Sequence, residues 1–550
     1  MRFPRWIPER NESALTTADC HSTTTVPGTS RLFADFCAGE ERARQFYGPA
    51  REWKERPAVP THIAELAELL AAQNSGQERG QAVGDALAAL TAGAGVVVTG
   101  QQVGLFGGPL YTALKAATAV ARAREATAAG KPHVAIFWLA TEDHDFEEID
   151  HVTFPARREL KKLKYGRAPE IARPVGGVVL DETLLPLLEQ AWELVGSSDA
   201  MEALAAAYKP GQTFAEAFAE FYGKMFAAQG LLVLDAGGRA AHRMGARVLR
   251  AALEQADELH AGLMERNAAL EAAGYHAQVA VAAESSLLFL IDDKTGARVA
   301  LKRTAAKAGE PKGAWQAGRT SYSTDELVGI LEAEPERISP SALLRPVFQD
   351  ELLGTSLTIG GPAEIAYFAQ SAVLFERILG RMTPAEARLS ATLIEPAVAE
   401  LLRRHGLEPE GVFGETTDSL AQRLGARAMP VEGKRKLAAA GQALDAELEP
   451  LLAWMRGLDA GLGRSGETAA CKMRYQMNRL RRLAANFQLQ KEESLRRHAE
   501  AICQSLYPGG ALQERVHGAA YYFGRYGLEL AERLTERAAE NCAGHQVVWL

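Results

Sequence analysis

The sequence predicts an α/β protein with a parallel-sheet core of nucleotide-binding type and a long C-terminal helical arm. Two short apolar runs, residues 95–100 (Gly-Val-Val-Val-Thr-Gly) and 134–139 (Val-Ala-Ile-Phe-Trp-Leu), read as strands buried on both faces. Between them Pro109 opens a helical stretch that stops at Gly130, so strand, loop, helix and strand make a right-handed βαβ unit. After Pro396 the strand-like runs end, and apolar residues recur at alternating steps of three and four.

Taken in order, residues 57–92 read as helical, with Ile63, Leu66, Leu69 and Leu70 at helical spacing. The βαβ unit follows. Residues 155–221 are charged and Ala-rich, with a basic start (Arg157, Arg158, Lys161, Lys162, Lys164), and predict a largely helical insertion. Residues 231–235 resume the strand pattern. Residues 278–281 and 287–291 read as strands, and a turn at Asp293 and Gly296 leads to a returning strand at 298–301. Residues 355–359 predict another buried strand, with a helix from Ala363 to Leu379. In the arm, Leu444, Leu448, Leu451, Met455, Leu458 and Leu462 form one stripe; Met473, Met477, Leu480, Ala484 and Phe487 form a second. Gly461, Gly463, Ser465 and Gly466 lie between them and predict the turn of an antiparallel hairpin; Pro450 either kinks the first helix or marks its start. The organisation expected is two halves of a core (1–155 and 226–395) around an insertion (156–225). An arm (396–508) and a C-terminal helical segment packing back on the core (509–550) complete it.

A chain of 550 residues exceeds what one core usually organises. A net charge of -8 argues against an extended nucleic-acid surface, and so against tRNA binding. Five scattered cysteines, Cys20, Cys37, Cys471, Cys503 and Cys542, read as reduced thiols. Residues 1–17 lack the apolar run of a secretory signal, and no stretch reaches the ~20 apolar residues of a membrane helix. A cytoplasmic protein that uses no membrane is the expectation.

Four stretches carry candidate chemistry. The first runs from Thr99, Gly100, Gln101 and Gln102 through Gly107 and Gly108 to Tyr111, Thr112 and Lys115. In an open parallel sheet ligands bind beyond the carboxyl ends of the strands, and free N–H groups at a helix start attract anions. Tyr111, Thr112 and Lys115 are expected to face that crevice. The stretch is neither a Walker loop nor a dinucleotide fingerprint, and the alternative is a tight loop that needs glycine for its geometry. The second is Glu142, Asp143, His144 and Asp145, just past Trp138 on the next strand. These residues suit an ammonium group, with His144 the expected base, or they cap a helix; no metal is indicated. The third joins Arg345 and Gln349 to Gly360, Gly361, Glu364 and Tyr367, at another strand end. The fourth holds Tyr507, Pro508, Gly510, Gln513 and Arg515, residue types able to hold a purine and a phosphate, or else to make a helix-to-helix turn.

VVVTGQQVGLFGGPLYTALK, FWLATEDHDFEEIDHV, SPSALLRPVFQD with TIGGPAEIAYFAQ, and YPGGALQERV occur in this order across nearly the whole chain. Together they resemble the bacillithiol-synthesis cysteine-adding enzymes, the BshC family. The resemblance implies a Rossmann-type core akin to class I aminoacyl-tRNA synthetases, with connecting insertions and a coiled coil through which the protein forms a homodimer. It implies a ligase that adds cysteine to the amino group of glucosaminyl-malate, the last step of the pathway, with ATP or ADP as a cofactor. No H-I-G-H or K-M-S-K-S signature is present. The rival reading is a non-catalytic nucleotide-binding scaffold that dimerises through its coiled coil.

Overall fold

The computed structural model describes residues 19–22, 26–48, 52–55, 57–75, 80–156, 159–166, 168–303 and 315–550. The reading of residues 1–17 and of Arg157 and Arg158 therefore lies outside the described residues. The chain divides into two compact units, one of residues 1–155, 161–392 and 513–548, the other of 156–160, 393–512 and 549–550.

The first unit is built on a five-stranded parallel sheet. Its strands are β1 (Gly95–Gln101), β2 (His133–Leu139) and β3 (Leu232–Asp235), and, after the hairpin β4 (Ser285–Ile291) and β5 (Arg298–Arg303), β6 (Thr355–Gly360) and β7 (Ala385–Ala387). The order across the sheet is β7-β6-β1-β2-β3, the 3-2-1-4-5 arrangement of a Rossmann half read from its other edge. β1 and β2 pair in unbroken register from Gly95 opposite His133 to Gln101 opposite Leu139. Both strands are apolar because both faces are covered: Val96, Val97 and Val98 are buried, as is the whole of β2. Helix α1 (Leu110–Ala128) covers one face, and its buried alanines, among them Ala113, Ala116, Ala117 and Ala119, let it lie close to the strands. The chain leaves β1 toward β2 and β3 but returns on the other side at β6, so the switch point opens between β1 and β6.

Several elements differ from expectation. The helical stretch before β1 is two helices, Ile63–Gln73 and Gly80–Thr91. Residues 278–281 form no strand; the hairpin β4–β5 instead joins Ile338–Pro340 and two further short strands in an antiparallel sheet of five. Asp292 closes the hairpin turn by accepting from the Thr295 backbone N–H and hydroxyl at 2.8 and 2.7 Å. The segment before β3 contains the strand Leu160–Lys164 as well as helices, the last of which is α2 (Phe214–Met225). Strands do not end at Pro396: His545–Trp549 pairs antiparallel with Asp19–His21. Beside that pair Cys20 and Cys542 form a disulfide, so these two are not the reduced thiols expected, whereas Cys37, Cys471 and Cys503 are free. Helix α3 (Arg345–Leu353) leads into β6, and α4 (Pro362–Leu379) follows it.

The second unit is helical. Its long helices are α5 (Val431–Leu458), α6 (Ala460–Lys491) and α7 (Glu493–Leu506), and Pro450 lies inside α5. The turn falls at Asp459, whose carboxylate accepts from the Gly461 and Leu462 N–H groups. Gly463 and Gly466 are not in the turn but in α6, where a Cβ would meet Arg456 Cγ at 2.7 Å and Met455 Sδ at 2.8 Å. They permit close helix contact. Leu448, Leu452 and Ala470 form the buried seam of the hairpin, with Leu444 packed against it. Leu451, Leu458, Leu462, Met473, Leu480 and Phe487 stay exposed. No helix among the described residues is long and apolar enough to cross a membrane.

Candidate active site

The register of β1 and β2 brings the residues just past their carboxyl ends to one edge. There the Gln102 side-chain amide donates to Asp143 Oδ2 at 2.8 Å, and the His144 backbone N–H donates to Oδ1 at 2.7 Å. Arg298, at the start of β5, reaches the same point: its Nη1 lies 3.1 Å from His144 Nδ1 and 3.9 Å from Asp143 Oδ1. Burial alone would raise the Asp143 pKa. The bonds from Gln102 and the backbone, and the charges of Arg298 and Arg345, more than offset it and hold the carboxyl below its ordinary range.

The third stretch converges on this edge. Gly100, Gln101, Trp138, Arg345, Gln349, Glu364 and Tyr367 line one cavity of about 20 Å³, space for about one water molecule. Arg345 donates to the Tyr367 hydroxyl at 2.9 Å. Glu364 Oε2 accepts from the Gly361 N–H at 2.7 Å, at the start of α4, and from Lys115 at 2.5 Å. Lys115 also donates to Gln101 Oε1 at 2.8 Å and to the Gly100 carbonyl at 2.9 Å. Its three protons are thereby committed, so it ties two loops together rather than presenting a free ammonium to the crevice. Burial lowers its pKa, against the pull of Glu364. A Cβ on Gly360 would lie 3.1 Å from Phe368 and Glu364 atoms, and one on Gly100 3.1 Å from the Trp138 carbonyl, so both are positions of close approach.

The second half of the glycine loop turns inward. Gly107 has φ +79°, and a Cβ there would stand 2.5 Å from the Phe221 ring. Its N–H donates to the Tyr208 hydroxyl at 2.9 Å, and its carbonyl accepts from the Tyr222 hydroxyl at 2.8 Å. Tyr208 also donates to the Gly104 carbonyl. Phe106, at φ 50°, is held in this shape by full burial against Tyr208. Gly107, Gly108 and Thr112 are thus buried. The start of α1 is spoken for as well, because the Leu110 N–H donates to the His517 carbonyl at 2.7 Å. The free anion-binding helix start expected from the sequence is not present at that N–H.

Other candidates have equally definite places. Thr99 is buried and donates to the Ile359 carbonyl, joining β1 to β6. Trp138 is buried edge-on against Phe348 and serves as wall. Tyr111 accepts from the Gln101 amide at 3.3 Å. Asp145 is exposed at the N-cap of the short helix Phe146–Ile149 without making a cap bond. Glu142 lies 2.9 Å from Nε2 of the fully buried His242, so much of its charge is answered inside the protein. Burial disfavours the charged form of His242, but Glu142 outweighs it and the His242 pKa is raised. Of the fourth stretch, Pro508 and Gln513 are buried, Tyr507 is half-buried, and Gly510 and Arg515 are exposed.

The sequence reading missed Arg298, His242 and the pair Arg388–Glu514. Arg388 Nη2 meets Glu514 Oε1 at 2.6 Å with both side chains 2% exposed, and the guanidinium lies 5.4 Å from the Tyr111 ring centroid. A larger cavity of about 1090 Å³ also escaped it. Thr141 and Glu142 beyond β2, Asp235 at the end of β3 with Gly237 and Gly238 beyond it, and Lys224 of α2 line it. Thr141 donates to Asp235 Oδ1 at 2.6 Å, and burial raises the Asp235 pKa. No group of three or more His, Cys, Asp or Glu side chains is gathered for a metal among the described residues.

The strand order and the loops gathered at its switch point define a Rossmann-type α/β protein, with the candidate site at the carboxyl edge of the sheet. Residues 18–389 match the family described as bacillithiol biosynthesis BshC, N-terminal Rossmann-like domain, and residues 391–550 match its C-terminal coiled-coil domain. The chain belongs to the BshC family. A relative from Koribacter versatilis (strain Ellin345) is 40% identical over 545 residues, covering 96% of this chain and 99% of its own. One from Solibacter usitatus (strain Ellin6076) is 34% identical over 534 residues, with 96% and 99% covered. One from Geobacillus kaustophilus (strain HTA426) is 30% identical over 463 residues, with 83% and 84% covered. Each bears the name "Putative cysteine ligase BshC". A solved Campylobacter jejuni structure described as a "putative arginyl t-RNA synthetase" covers 86% of this chain and 98% of its own at 12% identity, but its TM-score of 0.20 adds no weight to the fold.

Proposed function

We propose that this protein is a ligase of bacillithiol synthesis that joins the cysteine carboxyl group to the amino group of glucosaminyl-malate. The observation that supports this reading most is Asp143, an ionised carboxylate at the switch-point edge of a chain that matches the family along nearly its whole length. Amide formation needs an amine that is positioned and then deprotonated, and a carboxyl group that has been activated. A carboxylate offers about four acceptor positions, and Gln102 and the His144 N–H occupy two of those on Asp143. The remainder suit the ammonium form of an amino sugar. The cavity of about 1090 Å³ beside the same loop has ample volume for a sugar-sized substrate, whereas the cavity of about 20 Å³ suits a water or a single substituent.

The same reading includes a cytoplasmic location, a homodimer through the exposed stripe of α5 and α6, and an adenine nucleotide as activating partner. The nucleotide would supply a phosphate leaving group; Arg515 is the residue of the fourth stretch suited to its charge, and no step of the proposed chemistry runs through Gln513. The test is thiol profiling of a strain that lacks the gene. Loss of bacillithiol with accumulation of glucosaminyl-malate, reversed by the intact gene, is the expected result; normal thiols would favour the scaffold instead.

A further inference from the structure

We infer that Arg298 is a positioning residue that fixes the tautomer of His144, so that the ring offers an N–H donor to the substrate rather than a free base. The clause about substrate rests on the ligase reading; the tautomer does not. A guanidinium has five N–H donors and no acceptor, and it stays protonated. Arg298 Nη1, 3.1 Å from His144 Nδ1, can only donate. In the neutral ring Nδ1 must then be the bare nitrogen, and the proton resides on Nε2.

The guanidinium has little freedom to turn away. Its Nε donates to the Ser339 hydroxyl at 3.1 Å and its Nη2 to the Pro340 carbonyl at 3.0 Å. Its Cζ sits 3.7 Å from the Phe289 ring centroid, and the side chain is 6% exposed. Three separate contacts and its burial therefore aim one N–H at Nδ1. His144 is itself 38% exposed, and among the described residues nothing bonds its Nε2. The edge left open to a ligand is the protonated one. An Nε2–H suits an oxygen of the substrate, such as the acyl oxygen or a carboxylate, and cannot take the proton of the attacking amine. The base role expected for His144 passes to Asp143 or to water.

Ring-nitrogen spectra of the full-length protein labelled with ¹⁵N-histidine test this directly. They are recorded at about pH 8.5, well above the ordinary histidine pKa of about 6.5. The His144 signals are identified by their loss in His144→Gln. The expected pattern is a bare, pyridine-type Nδ1 and a protonated, pyrrole-type Nε2. Arg298→Met, which keeps bulk over Phe289 but removes every donor, should move Nδ1 toward the protonated type. It should also lower bacillithiol in a complemented strain by at least about tenfold, as when the partner that orients a catalytic histidine is lost. A protonated Nδ1 in the wild type overturns the inference even if Arg298→Met does not fold. An unchanged ring in folded Arg298→Met does the same, and normal bacillithiol from that variant overturns the substrate clause. Failure of the ligase reading would leave the spectra as they are, so the two failures are distinct.

Discussion

Replacing Glu514 with Gln removes one charge from a pair that water does not reach. The carboxylate accepts from Arg388 Nη2 at 2.6 Å and Nη1 at 3.1 Å, from the Ser390 hydroxyl at 3.1 Å and from the Ala391 N–H at 2.8 Å. An amide is the same size but accepts through one atom only, and its NH₂ meets donors. Arg388 would keep its bond to the Leu389 carbonyl and its charge would otherwise stand uncompensated. Removing one partner of such a pair costs about 3–5 kcal/mol. Urea denaturation followed by tryptophan fluorescence should show a loss of that size at pH 7. Replacing both partners with apolar residues, Arg388→Met with Glu514→Leu, should recover most of it, because the paired charges contribute little beyond an apolar filling. The pH dependence follows from the folded carboxyl. Burial would raise its pKa, but Arg388 holds it below the ordinary range. A lowered pKa stabilises the fold above the unfolded value of about 4.3, and that contribution is lost as pH falls through the folded value. The gap between wild type and Glu514→Gln should therefore narrow on acidification. A Gln variant within about 1 kcal/mol of wild type at pH 7, or a double variant no better than the single one, would refute the reasoning.

Lys115→Met should cost about 3–5 kcal/mol in the same assay, because Glu364 loses its buried partner, and it should also abolish bacillithiol in a complemented strain. Gln102→Ala frees one oxygen of Asp143 on a half-exposed loop, so its melting temperature should stay near wild type while bacillithiol falls; full production would return Gln102 to a structural role. Leu480→Glu with Phe487→Glu places charge on the exposed stripe but not on the hairpin seam, and light scattering should then report monomers from a folded protein; a wild type that is itself monomeric at micromolar concentration defeats the dimer proposal. Arg515→Ala should weaken ADP binding in calorimetry without lowering stability, and equal affinity would return this stretch to a helix-to-helix turn.

The strands at the centre of the sheet were legible because both faces are buried, which leaves an apolar run with no polar alternation to confuse it. The loops after them were legible as positions at the carboxyl edge of the sheet, but not the division of the glycine loop between an edge half and a half clamped inward by Tyr208 and Tyr222. What the sequence hid was long-range. Arg298 lies 154 residues from His144 and is marked only as the first residue after a turn. Glu142 looked like a free carboxylate because His242 is a helix residue with no pattern of its own. At the α1 start the Leu110 N–H is not free as expected, because the His517 carbonyl, more than 400 residues away, takes it. Gly463 and Gly466 were read as a turn, since glycine has the same letter whether it frees the backbone or clears room for a neighbouring helix.

The shape of the glycine loop depends on hydroxyl groups more than 100 residues downstream, those of Tyr208 and Tyr222. That separation bears on protein engineering. A transplant of residues 95–130 into another Rossmann scaffold would carry every glycine and yet arrive without the two clamps that hold Gly107 and Phe106 in left-handed backbone. A piece that keeps both clamps runs at least from β1 through the end of α2, and the Leu110 N–H would still need a partner in place of the His517 carbonyl. Within it, Tyr208→Phe and Tyr222→Phe are the quietest edits that would let the loop relax, since they delete a single oxygen each and leave the ring packing in place.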